Sequence, residues 1–445
     1  MNIVILGAGE KGSYLANILS IEKHNITIID KDPKKLEKIS EESDVATITG
    51  YAARWKILDD LIEHKPSLFI AITGDDETNL VACAIAKNLG YPKTVARVKE
   101  IGFLSRSRLD FGRLFFVDHF IGAEVLTAYD ILKHVMNPED IYIENFAHGM
   151  IQMRTITIPE NWKKKDVPLN KLALPKELII SLIRRKDEII FPHGEDHIEP
   201  KDEVTVIGET GEMKHLHDLF NCPQKKIKSV TIVGGNSIAQ RLAHILERSN
   251  IKTKIIEKDE KRCKELADLL PNSIIINKDG ANIDFLTEEE VYKSDIFISC
   301  TNDDKANILI SLLGKQVGCK KLLALISDVS LNPLLRELDI QFTMSEKVAI
   351  ANKILSIIHA EKIISIASLC ENKAKVLEIK VSAESEIAGI PLSDLKARLP
   401  KNLLVAAIEN RGRVMIGKGN RIISPGDTII IISSPEHINE LQDIF

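Results

Sequence analysis

Ile3-Val4-Ile5-Leu6-Gly7-Ala8-Gly9-Glu10-Lys11-Gly12 is an apolar run of strand length that ends in glycines spaced G-x-G-x-x-G and passes into a helical pattern. Gly7 permits a tight turn, Gly9 lets a pyrophosphate approach the backbone, and Gly12 lets the helix lie against the strand. The helix start adds unpaired N–H groups and the positive end of its dipole. Alone, the motif is a weak signal. Asp30 strengthens it, because it closes the next apolar run, where a carboxylate can accept hydrogen bonds from adenosine ribose hydroxyls and repel a 2′-phosphate. NAD or another unphosphorylated adenosine ligand is favoured over NADP.

Outward from this loop, short apolar runs at 2–6, 26–30, 46–49, 68–73, 94–98 and 115–118 alternate with segments of helical period. That alternation predicts an α/β fold, a parallel, doubly wound, Rossmann-like sheet with helices on both faces. Ligands of such sheets lie at the carboxyl ends of the strands. Thr73-Gly74-Asp75-Asp76 follows the fourth run at that edge, so Thr73 and Gly74 are candidate ligand contacts. A helix-capping turn is an equally good reading, compatible with ligand contact. Arg97 ends the fifth run on the same edge, within reach of a phosphate or of a surface ion pair.

The pattern occurs twice. With Gly7 laid on Gly234, Asp30 falls on Glu257 and Asp32 on Asp259; Thr73 to Asp76 then falls on Thr301 to Asp304, and Asn79 on Asn307. The second loop reads Gly234-Gly235-Asn236-Ser237-Ile238-Ala239. Alanine is tolerated at the third glycine position, but Asn236 adds bulk where a pyrophosphate should meet the backbone. Leu325 stands where the first half has Arg97. A second nucleotide site around Gly234 to Ile238 and Glu257 is therefore expected to be weaker or of different selectivity.

Each sheet is followed by a second piece of different character. In the first, Arg154 to Ile158 alternate with period two, and Pro159, Pro168, Pro175, Pro192 and Pro200 punctuate the segment, as in a small, strand-rich α+β lobe. Pro200 and Asp202 match Pro425 and Asp427 and read as turn residues of that lobe. Stripes at helical spacing (Val125, Leu126, Tyr129, Leu132, Met136, and Val348, Ile350, Ile354, Leu355, Ile358) join sheet to lobe in each half. Residues 221–229, with Pro223 and three lysines, have linker composition. The expected organisation is two sheets at 1–122 and 227–347 and two lobes at 141–220 and 365–445.

Bulk properties exclude several functions. Hydrophobic residues make up 44% and charged residues 28% of the 445 residues, a normal balance for a folded protein. A net charge of -5 lacks the basic excess of a nucleic-acid binder. No run approaches the roughly 18–20 apolar residues of a membrane span. The N-terminus enters a strand directly, so a cleaved signal is not expected. The 6 cysteines contain no C-x-x-C pair, which argues against a zinc site and a secreted disulfide framework. A cytoplasmic protein with at most a peripheral membrane role is expected. The 12 histidines do not recur at matching strand ends, His215 and His217 sit in a polar segment expected to be exposed, and no catalytic base or metal site stands out.

The Gly7–Gly12 loop with Asp30, the Thr73 to Asn79 block, Val95-Ala96-Arg97-Val98 and the lobe residues Ile183 to Arg185, Phe191 to Gly194 and Pro200 to Val204 resemble RCK domains, which regulate potassium conductance. Two complete copies in one chain are similar to the peripheral subunits of Trk-type potassium uptake systems. The resemblance implies a non-enzymatic regulator that assembles as a homo-oligomeric ring on the cytoplasmic face of the membrane, beneath an integral potassium-translocating Trk subunit. It implies NAD⁺ or NADH, and ATP or ADP, as the controlling nucleotides. The residues it carries over are Gly7, Ala8, Gly9, Glu10, Lys11, Gly12, Asp30, Thr73, Gly74 and Arg97, then Gly234, Gly235, Asn236, Ser237, Ile238 and Glu257. An NAD-dependent oxidoreductase, or a regulator of a different potassium channel or antiporter, are the alternatives.

Overall fold

A computed structural model describes the chain except residues 52–53, 105–107, 187, 223–225, 339, 341, 359–362, 370–372, 383, 386, 398–401 and 438–445. Pro223 of the expected linker lies outside the described residues. The first six strands are β1 (Asn2–Leu6), β2 (Asn25–Asp30), β3 (Ala46–Thr49), β4 (Leu68–Ala71), β5 (Thr94–Arg97) and β6 (His119–Ile121). They form one sheet in the order β3-β2-β1-β4-β5-β6, with every pairing parallel. The order reverses between β1 and β4, and the carboxyl ends of these neighbours open the crevice where doubly wound sheets take ligands. β4 and β5 are buried at every residue, as strands covered by helices on both faces must be.

One expected strand lies elsewhere. The apolar run at 115–118 is not a strand; Phe116 takes a left-handed φ of 53° and the Val117 N–H donates back to Gly112 O at 2.9 Å. The chain turns there, and pairing begins only at His119, after Asp118 has accepted from the Thr94 N–H at 2.8 Å. Apolar content alone does not distinguish a strand from a packed turn.

The first lobe is a five-stranded antiparallel sheet of β7 (Asp140–Phe146), β8 (Ile151–Thr157), β9 (Leu178–Arg185), β10 (Glu188–Ile190) and β11 (Glu203–Glu209), in the order β10-β9-β11-β8-β7. The second half repeats both pieces. Strands β12 (Ser229–Val233), β13 (Lys252–Glu257), β14 (Ile274–Asn277), β15 (Ile296–Ser299), β16 (Leu322–Leu325) and β17 (Phe342–Met344) form the parallel sheet β14-β13-β12-β15-β16-β17. Strands β18 (Ile363–Leu369), β19 (Ala374–Lys380), β20 (Leu403–Asn410), β21 (Arg413–Ile416) and β22 (Thr428–Ser433) form the antiparallel sheet β18-β19-β22-β20-β21. The stripes at helical spacing are the helices Ala123–Met136 and Glu346–Ile358.

Compact packing does not follow the two halves. One unit joins Met1–Ile131 with Lys228–Lys353, so it holds both parallel sheets; the other joins Leu132–Ile227 with Ile354–Phe445 and holds both lobes. Within the lobe unit, Ile429 and Ile431 point into their own lobe's core, while Ile430 and Ile432 pack with Val376 and Ala406 against Phe146, Met153, Leu182 and Ile207 of the other lobe. The opposite face of the first lobe's sheet is covered by its own loops, with Trp162, Ile198 and Phe220 among the buried groups. The lobes are thus sheets with two apolar faces, and each supplies the other's missing cover.

A buried hydrogen bond ties the lobes together. The Ala147 N–H donates to Glu378 Oε1 at 2.8 Å, and Ala147 and His148 hold left-handed φ values of 49° and 54° in the turn that presents it. Asp202 and Asp427 do act as turn residues: each is buried and accepts a backbone N–H, from Glu199 and Ser424, at 2.8 and 2.9 Å. His217, expected to be exposed with His215, is instead 2% exposed, with Nε2 2.8 Å from the fully buried Asp140 carboxylate. It sits on the inward face of the short helix Leu216–Leu219, beside Leu216.

Replacing Glu378 by Ala leaves the Ala147 N–H buried without this acceptor. The expected loss is roughly 1–3 kcal/mol of stability in denaturant unfolding, with Glu378→Gln, which keeps an acceptor oxygen, losing less.

Candidate functional site

The first loop is built by contacts that need glycine. Gly7 has a φ of 109°, and its N–H donates to Ile29 O at 2.7 Å, joining the turn to the end of β2. A Cβ on Gly12 would stand 1.9 Å from Gly7 O, so the helix Glu10–Ile21 can start against the turn only without a side chain there. That helix has Gly9 as its N-cap, so no N-cap side chain accepts from its first amides. Its open N–H groups, with the helix dipole behind them, form an anion-binding end.

Asp30 sits beside this end and already braces it. Oδ2 accepts from the Ala8 N–H at 2.7 Å, and Oδ1 accepts from the Asp32 N–H at 2.9 Å. Each carboxylate oxygen has two lone pairs, so the brace leaves acceptor capacity for ribose hydroxyls. Asp32 in turn caps the helix Pro33–Glu42 through the Lys34 N–H at 3.0 Å.

Across the crevice, Thr73 and Gly74 follow β4. Asp75 caps the helix Asp76–Leu89, and its hydrogen bonds from Thr78 hold the carboxyl below the usual carboxylate range. The capping reading of this block is therefore correct, and the Gly74 carbonyl accepts from Lys99 Nζ. Thr73 Oγ1 and N–H both donate to Asn79 Oδ1, at 2.7 and 2.9 Å, and Asn79 Nδ2 donates to Arg97 O at 2.9 Å. Asn79 is fully buried and fastens the ends of β4 and β5 together. Asn307 does the same for Thr301 and Leu325 in the second half. Both asparagines were visible as a matched pair in the sequence, but their role needed the tertiary contact.

Arg97 is 5% exposed and committed. Nη2 donates to Glu124 Oε1 at 2.8 Å, and Nη1 donates to Thr73 O at 3.2 Å. A ligand phosphate would have to compete with Glu124 for it. Glu124 opens the helix Ala123–Met136, and nothing local in the sequence marked it.

Lys11 has a partner far along the chain. It is ion-paired with Glu346, 335 residues away, and Lys347 Nζ lies 3.7 Å from Glu10 Oε2. The first turn of the helix Glu346–Ile358, from the second half, thus rests on the first half's glycine loop through two pairs of opposite sense. Loop residues Glu10 and Lys11 touch it, whereas Gly7 and Ala8 are bonded to the end of β2 through Ile29 O and Asp30.

The second loop keeps the turn and the brace. Gly234 has a φ of 101°, and the Gly235 N–H donates to Glu257 Oε2 at 2.6 Å. Arg262 Nε donates to Gly235 O at 2.7 Å, whereas the matching Ala8 O of the first loop accepts from Ser13 Oγ at 3.1 Å. Cys300 lies beneath the loop, and burial pushes its thiol up to about 12, so it carries no thiolate at neutral pH.

Among the described residues, no group of three or more His, Cys, Asp or Glu side chains could hold a metal ion, and no helix is long and apolar enough to cross a membrane. In the lobe unit, a cleft of about 730 Å³ opens between Met150, Glu209 and Thr210 on one lobe and Asn410, Arg413 and Met415 on the other.

A doubly wound sheet with a glycine-bearing turn and a carboxylate bracing it defines a Rossmann-like class of protein, present here in tandem with an antiparallel lobe after each sheet, the first helix uncapped by its N-cap residue and the second capped by Asn236. The TrkA-N domain family matches residues 3–106 and 230–346, and the TrkA-C domain family matches 153–221 and 376–445. The chain belongs to the TrkA family. It is 31% identical over 456 residues, covering 100% of both chains, to a Trk system potassium uptake protein TrkA homolog of Methanosarcina mazei. Identity to the TrkA of Haemophilus influenzae is 29%, over 100% of this chain and 98% of that one. Among solved structures, the GsuK channel covers the whole chain with 78% of its own length, at a TM-score of 0.65 and 16% identity, which establishes the shared RCK-type fold. The GsuK channel bound to NAD aligns at a TM-score of 0.64.

Removing the carboxylate that holds Lys11 should free it for an anionic ligand. Glu346→Gln is expected to tighten nucleotide binding by up to roughly fivefold in low-salt calorimetry, with the gain vanishing at high salt, as for a partly exposed ion pair.

Proposed function

We propose that this chain is the nucleotide-sensing regulatory subunit of a Trk-type potassium uptake system, binding NAD⁺ or NADH in the first glycine-loop crevice. The observation that carries this reading is the uncapped end of the helix Glu10–Ile21 beside Asp30, in a chain of the TrkA family. Gly7 to Gly12 would take the pyrophosphate, Asp30 the adenosine ribose, and Thr73 and Gly74 the far half of the ligand. ATP and ADP share the adenosine and phosphate chemistry and are candidates for the same crevice.

The partner is an integral potassium-translocating subunit, and the chain works as a homo-oligomeric ring on the cytoplasmic face of the membrane. Its relatives are potassium uptake proteins, and the sheet–lobe fold it shares with the GsuK channel supports such an assembly. The reading of the chain as a sensor and not an enzyme is supported by its relatives, which are potassium uptake proteins. A nucleotide regulates transport only through different affinity for two states of the assembly. The Glu346–Lys11 contact is a physical route for that difference, because a phosphate and Glu346 compete for one ammonium group.

The purified chain should bind NADH saturably without consuming it. Asp30→Ala is expected to weaken binding by roughly 1–3 kcal/mol, a factor of about 5–150, and Asp30→Asn, which keeps an acceptor for Ala8, by less. Potassium flux through the reconstituted pair should respond to nucleotide in the wild type and lose that response with Asp30→Ala. Failure of NAD⁺, NADH, ATP and ADP all to bind would end the sensing proposal, and substrate-dependent reduction of NAD would revive an oxidoreductase.

A further inference from the structure

The two loops place the same backbone donors in nearly the same geometry and satisfy them differently. Gly9 and Asn236 are the N-caps, with φ and ψ of -69° and 175° against -67° and -179°. A Cβ on Gly9 would meet no atom within 4 Å, so the space in front of the first helix is open. In the second half Asn236 fills it. Its Oδ1 accepts from the Ile238 and Ala239 N–H groups at 3.0 Å each. Its Nδ2 donates to Asn302 Oδ1 at 3.1 Å, which ties the side chain to the turn after β15.

Those two amides are the groups with which a helix of this kind holds a pyrophosphate. A dinucleotide entering the second crevice must therefore break two hydrogen bonds and displace a side chain that is fixed at its other end. Arg262 adds to the closure, since Nε donates to Gly235 O and Nη2 to Gln240 Oε1, both at 2.7 Å. Glu257 is not part of the closure: it accepts from the Gly235 and Asp259 N–H groups just as Asp30 accepts from those of Ala8 and Asp32.

We infer that Asn236 is a built-in surrogate for a ligand phosphate, closing the second crevice to pyrophosphate-bearing dinucleotides, so that each chain binds one dinucleotide and not two. This rests on the reading of the first crevice as an NAD(H) site. The second sheet is then a fixed body whose state is set by its own side chain, and the ligand-dependent changes begin in the first.

Equilibrium dialysis or calorimetry with NADH on the full-length chain tests this. At saturation the wild type should bind one NADH per chain and Asn236→Gly two, and Asp30→Ala should bind one with a Kd raised about 5–150-fold. In Asn236→Gly/Asp30→Ala one of the two sites should be weakened by that factor, and adding Glu257→Ala should weaken the other. Two equivalents on the wild type, or one bound by Asp30→Ala with an unchanged Kd, would overturn the closure while leaving the nucleotide reading intact. No gain in Asn236→Gly with unchanged helix content would overturn Asn236 as the closing group. If that variant does not fold, Asn236→Ala, which also lacks the acceptor, carries the comparison. No NADH bound by either the wild type or the Asn236 variants would sink the nucleotide reading itself.

Discussion

Strands that are apolar on both faces cannot stand in water on either, and this constraint organises the molecule. In the parallel sheets the helices between strands provide the cover, which is why β4 and β5 are buried at every residue. The antiparallel lobes have loops enough for one face only. Ile430 and Ile432 would face solvent if each lobe stood alone, and they are buried because the other lobe supplies Phe146, Met153, Leu182 and Ile207. Duplication in one chain makes that partner permanently available. The buried Glu378–Ala147 contact then selects a single docking geometry between surfaces that apolar packing alone would leave free to slide.

In the parallel sheets the same economy of parts appears at the ligand edge. One carboxylate after β2 serves as brace for the glycine loop before it can serve a ligand, in both halves. One buried asparagine ties the ends of the fourth and fifth strands, in both halves. The loops differ at several positions, and the one that changes the helix end is Gly9 against Asn236, whose side chain accepts from the first amides. The scaffold can be kept intact while the chemistry of one copy is removed, because the brace and the cap use different atoms.

Much of this was legible in the residues. The glycine spacing, the apolar runs and the register between halves gave the parallel, doubly wound class and the loop positions, since the turn and close helix approach at Gly7 and Gly12 admit only small residues. The run at 115–118 was misread because apolar side chains serve a packed turn as well as a strand, and only the φ of Phe116 separates the two. His217 was misread because its buried partner, Asp140, lies on a strand far away in sequence. Arg97 was placed at the correct edge, but its commitment to Glu124 depends on where the next helix begins.

The sequence by itself determined that the chain is a duplicated sheet and lobe, that each sheet ends in a glycine loop with a carboxylate beside it, and that the two loops differ. These are consequences of local sterics and period, and local chemistry is written in adjacent residues. Only the tertiary structure decided that sheet pairs with sheet and lobe with lobe, that Glu346 and Lys347 reach back to Lys11 and Glu10, and that Asn236 turns inward to cap its own helix. Those contacts depend on which surfaces complement one another in space, and residues that meet across 335 positions share no local pattern that announces it.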